Sequence, residues 1–78
     1  MDTLSLTDAL KRGRMTRIEL ATALGVDPST VYRWMQACHY TGVSPSAGQL
    51  SRMAALLRLT DQEARALWRW FAARGEAP

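Results

Sequence analysis

The stretch Arg17-Ile18-Glu19-Leu20-Ala21-Thr22-Ala23-Leu24-Gly25-Val26-Asp27-Pro28-Ser29-Thr30-Val31-Tyr32-Arg33-Trp34-Met35-Gln36 decides how this chain folds. Two apolar patterns of helical period meet in it. Leu20, Ala21 and Leu24 share one face, and Val31, Trp34 and Met35 another, with Cys38 one turn further on. Between them Gly25 takes a positive φ at no steric cost. Val26 supplies an apolar plug, and Asp27-Pro28 reads as an N-cap acid followed by proline at the first helical position. Two short helices cross steeply only where the crossing residue is small, and Ala21 meets that need.

The same punctuation divides the rest of the chain. Capping boxes open helices at Thr16…Glu19, Ser46…Gln49 and Thr60…Glu63, with a weaker box at Ser5…Asp8. Gly13, Gly25 and Gly75 each follow a helical pattern, where a C′ glycine is expected. These signals predict helices over 6–12, 17–24, 28–38, 47–58 and 61–74, with a loop from His39 to Pro45. No run alternates β-branched and polar residues as a strand would. The expected core combines Leu6 and Leu10, the two faces above, Leu50, Met53, Ala54 and Leu57 on the fourth helix, and Ala64, Leu67, Trp68 and Phe71 on the fifth.

Composition bounds the function. The 78 residues suit one domain. A single cysteine, Cys38, excludes an internal disulfide, and with His39 alone beside it no four-ligand zinc site can be built. No metal or cofactor is expected. No apolar run approaches a membrane span, and Met1-Asp2-Thr3-Leu4 carries an acid where a signal peptide would be basic. A cytoplasmic protein is the expectation. The net charge of +3 favours an anionic partner, and nine of the ten basic residues are arginine, the side chain that forks onto phosphate and guanine. The chain holds no independent catalytic histidine set, phosphate loop or carboxylate cluster, so an enzyme is not expected.

The quoted stretch, above all Ile18-Glu19-Leu20-Ala21, Leu24-Gly25-Val26-Asp27 and Pro28 to Trp34, resembles the helix-turn-helix of the Cro/repressor-like (lambda-repressor-like) DNA-binding proteins. The resemblance extends over about residues 4–74. It implies an all-α, five-helix bundle with the helix-turn-helix on helices 2 and 3, occupying residues 1–78 as one domain. It implies too a sequence-specific transcriptional regulator, a repressor of phage, prophage or mobile-element type. The third helix would enter the major groove of double-stranded DNA. One departure stands out: the segment from His39 to Ser46 is uncharged apart from His39, where such proteins often carry Lys and Arg against phosphate.

Wound at about 100° per residue, helix 3 turns Val31, Trp34, Met35 and Cys38 to the core and Ser29, Tyr32, Arg33 and Gln36 away from it. Arginine pairs with guanine, glutamine with adenine, and serine with either, so these residues together with Pro28 are the expected base readers. Thr16 and Arg17 at the start of helix 2, and Ser46 and Gln49 at the start of helix 4, are the expected phosphate contacts. Leu56, Leu59 and Trp70 fall off the core stripes and are the expected surface of a homodimer, which the resemblance also implies for reading a palindromic operator. An antitoxin-like regulator, or a protein-interaction module on the same scaffold, is the alternative.

Overall fold

Each helix starts where an oxygen-bearing side chain meets amides that have no partner within the helix. A computed structural model describes residues 3–36 and 45–75. It has five helices, α1 (Leu6–Gly13), α2 (Arg17–Leu24), α3 (Pro28–Met35), α4 (Ala47–Leu56) and α5 (Asp61–Gly75), and no strand among the described residues. Ser5 Oγ accepts the Asp8 N–H at 3.2 Å. The Thr16, Ser46 and Thr60 boxes are all reciprocal.

The helix ends depart from expectation in instructive ways. Gly25 does take the left-handed conformation, at φ 72°. Gly13 does not: it lies inside α1, and Arg14 adopts the left-handed conformation instead, at φ 54°. A Cβ on Gly13 would lie 2.6 Å from Leu57 Cδ2 and 3.0 Å from Leu57 Cα, so this glycine serves close approach, not a turn. Helix α4 stops at Leu56, two residues early, and Arg58 turns the chain at φ 55°. Helix α3 stops at Met35 because Gln36 is extended (φ −69°, ψ 134°). Residues 37–44 lie outside the described residues, and with them the expected core position of Cys38 and most of the loop from His39.

The core runs through all five helices. Leu6 and Ala9 of α1, Leu20 and Ala21 of α2, and Val31 and Trp34 of α3 are essentially inaccessible to solvent. Leu50, Met53 and Leu57 come in from α4 and its cap, and Ala66, Leu67 and Phe71 from α5. Helix α2 packs on α3 and α4, α1 touches α3, and α5 leans on α4. Arg52 of α4 donates to the Ala23 carbonyl at 3.1 Å, tying α4 to the last turn of α2.

Helix α5 is rotated from its expected setting. Trp68, expected in the core, is 47% exposed, and Ala64 is only half-buried. Trp70, expected on the surface, packs against the core with its ring edge-on to Phe71 at 4.9 Å and 72°. Leu56 and Leu59 also pack against the core and are half-buried, which corrects their placement as leftover surface. The cause lies at the other end of the chain. The Leu4 N–H donates to the Ala66 carbonyl at 3.1 Å, and Arg12 pairs with Glu63. Both contacts draw the 63/66 face inward, and Glu63, Ala66, Leu67, Trp70 and Phe71 form one regular helical stripe.

Candidate nucleic-acid interface

With Val31 and Trp34 turned inward, α3 presents Pro28, Ser29, Tyr32 and Arg33 to solvent; Gln36, expected on the same helical face, is exposed too but is the extended residue that ends the helix. The first turn is fixed by Asp27. Its Oδ1 accepts both the Ser29 N–H at 2.8 Å and the Ser29 hydroxyl at 2.7 Å. The Ser29 hydroxyl bond holds the Asp27 carboxyl below the usual aspartate range, helped by the Ser29 amide and by the charge of Arg33. The Ser29 proton is therefore committed to the cap, and the hydroxyl is left to a base edge only as an acceptor.

Arg17 reaches α3 from the start of α2. Its guanidinium carbon lies 5.1 Å from the centroid of the Tyr32 ring, within cation–π range. The Arg17 Nε–H is buried with no acceptor among the described residues. Arg17, Pro28, Ser29 and Tyr32 line one open cleft of about 290 Å³ with almost wholly apolar walls. The structure thus gathers three expected base readers and one expected phosphate contact around a single feature. Arg33, on the same helix, and Gln36, just past its end, do not line the cleft.

The other expected phosphate contacts are engaged in their own caps. Thr16 Oγ1 accepts the Glu19 N–H at 3.1 Å, and Glu19 Oε1 accepts the Thr16 N–H at 2.9 Å. The bond from the Thr16 amide, then that involving its hydroxyl, holds the Glu19 carboxyl below its usual range. That carboxylate opposes an anion at the start of α2. Ser46 and Gln49 make the same box with a neutral amide, at 2.8 and 3.1 Å, and the neighbouring Ala47 and Gly48 are exposed. Electrostatically the start of α4 suits a phosphate better than the start of α2. Neither Ser46 nor Gln49 lines the cleft.

Two features escaped the sequence reading. Ile18, which follows Arg17 in sequence, is a large apolar side chain left 58% exposed. Its position off the Leu20/Ala21/Leu24 face was the available signal. Trp68 is the other; with Ala64, Arg65 and Arg69 it lines a shallow depression of about 280 Å³ on α5. Among the described residues no group of His, Cys, Asp or Glu is arranged to hold a metal ion, and no helix is long and apolar enough to cross a membrane. No protein-family model matches the chain, and no curated protein or solved structure does either.

Proposed function

We propose that the chain is a sequence-specific, double-stranded DNA-binding transcriptional regulator of repressor type, with α2, the Gly25 turn and α3 acting as a helix-turn-helix within a lambda-repressor-like bundle. The observation that carries this reading is the outward face of α3: Tyr32, beside Arg17, and Arg33 are exposed on a helix anchored by Val31 and Trp34, with Gln36 exposed just past its end. Arginine and glutamine supply the forked donors that distinguish guanine and adenine in the major groove. The net charge of +3 adds a weak sequence-independent attraction. Phosphate contacts at Arg17 and at the start of α4 would set the register of α3 in the groove.

A few base pairs read by one helix are too little information to find a genomic site, so the reading includes a homodimer on a palindromic operator. Trp68, between Arg65 and Arg69, is the exposed aromatic of α5 and centres the proposed pairing surface.

The test is a low-salt titration of the protein into a labelled random-sequence duplex, repeated as salt is raised. A DNA-binding domain gives a steep salt dependence, with affinity falling by orders of magnitude as phosphate contacts are screened. Binding no tighter than that of a generic basic protein of the same net charge would favour a protein-interaction module instead.

A further inference from the structure

The cleft between Arg17 and Tyr32 has a chemistry that hydrogen-bonded base reading does not use. Its walls are almost wholly apolar: the Tyr32 ring, Pro28, and the parts of Arg17 and Ser29 that line it. Pro28 has no N–H to donate, and the Ser29 hydroxyl proton is held by Asp27. The guanidinium of Arg17 lies over the Tyr32 ring, with its Nε–H buried and without an acceptor. The Pro28 and Tyr32-ring walls give a base-edge carbonyl no donor, which is unfavourable for it, while the guanidinium of Arg17 remains suited to a phosphate as proposed above. The apolar group that DNA offers in the major groove is the methyl on C5 of a pyrimidine.

We infer that this cleft is a receptor for a pyrimidine 5-methyl group. The inference rests on the DNA-reading proposal above and deepens it. Thymine carries the methyl in ordinary DNA and 5-methylcytosine carries it in modified DNA; both present it at the same place in the groove. Because Arg17 comes from α2 and the other walls from α3, the cleft exists only while the two helices hold their crossing. If 5-methylcytosine is accepted, binding by this protein responds to cytosine methylation at one position of its site.

The experiment uses the full chain and a duplex recovered from a random library by repeated binding. Each thymine is replaced in turn by uracil, which removes the methyl and nothing else. One buried methyl corresponds to about fourfold in affinity. The expected result is a loss of that size at one thymine per recognition helix and little change elsewhere. At that position the pair is then rebuilt with cytosine and with 5-methylcytosine opposite guanine. A gain of about fourfold for the methylated base assigns the cleft to 5-methylpyrimidines generally, and sensitivity to uracil alone assigns it to thymine. Tyr32→Ala, checked for retained helical circular dichroism, should abolish the methyl dependence, whereas Tyr32→Phe should keep it. Selective binding with a flat uracil profile overturns the cleft assignment and leaves the DNA-reading proposal standing. Failure to recover any preferred duplex overturns both.

Discussion

Gly13 and Leu57 meet so closely that the missing Cβ of the glycine is what lets α1 lie against the end of α4. A methyl there would sit 2.6 Å from a Leu57 methyl and 3.0 Å from the Leu57 backbone. Leu57 is 2% exposed and has no room to retreat. Helix propensity favours alanine by about 1 kcal/mol, but overpacking a filled site costs about 1–3 kcal/mol. Gly13→Ala should therefore lower stability, by about 1 kcal/mol net. Urea unfolding measures it, and an unchanged or higher midpoint would show that the contact is loose.

Glu63 ties α5 to α1 through Arg12 while capping its own helix through Thr60. The Thr60 amide, then the Arg12 side chain, hold its carboxyl below the usual glutamate range. A carboxyl lowered in the folded state adds stability above its unfolded value, and that stability disappears as pH falls through the folded one. The melting temperature should thus drop as pH is taken from about 5 to about 3. Glu63→Gln keeps an acceptor for Thr60 but cannot titrate, so its curve should fall less steeply. Parallel curves for the two proteins would remove Glu63 from the account of acid sensitivity.

Most of the fold was legible in the sequence because it is written in caps. Ser5, Thr16, Asp27, Ser46 and Thr60 each announce a helix through bonds within three residues, and such bonds survive in any tertiary setting. What the sequence hid depends on contacts between distant segments. The rotation of α5, which exchanges Trp68 and Trp70, follows from Leu4 reaching Ala66 and Arg12 reaching Glu63. Both tryptophans stand near apolar neighbours, so local periodicity alone does not separate them. The exposed face of α3 was legible from Val31 and Trp34. The Arg17–Tyr32 stack was not, since it joins two helices at a crossing that no periodicity encodes.

Arg33 lies on the exposed face of α3, close enough to Asp27 for its charge to be felt there. A bidentate arginine–guanine pair is worth about 1–3 kcal/mol of discrimination. Arg33→Ala should therefore relax preference at one base pair per half-site while leaving other positions selective. Binding to single-base variants of the preferred duplex gives the profile, and an unchanged profile would exclude Arg33 as a reader.

Trp68 and Trp70 should behave differently when truncated. Trp70 packs on Phe71 and the core, so Trp70→Ala should lower folding stability by about 1–3 kcal/mol. Trp68 is half in solvent, and its removal should leave the fold intact. If α5 pairs two copies, losing an interface tryptophan costs about 2 kcal/mol or more of association. Sedimentation equilibrium should then find the parent dimeric and Trp68→Ala shifted toward monomer. A parent that stays monomeric at tens of micromolar, or a variant as dimeric as its parent, would remove the α5 pairing.

Selection of bound duplexes from a random library tests the central claim most directly. A regulator that reads DNA through α3 should enrich one motif, arranged as inverted half-sites with centres about 34 Å, one helical turn, apart. Guanine is expected within each half-site, where Arg33 can reach it. A selected pool indistinguishable in sequence from the starting library, at salt low enough to retain the protein on DNA, would contradict the assignment of α2 and α3 as a DNA-reading unit.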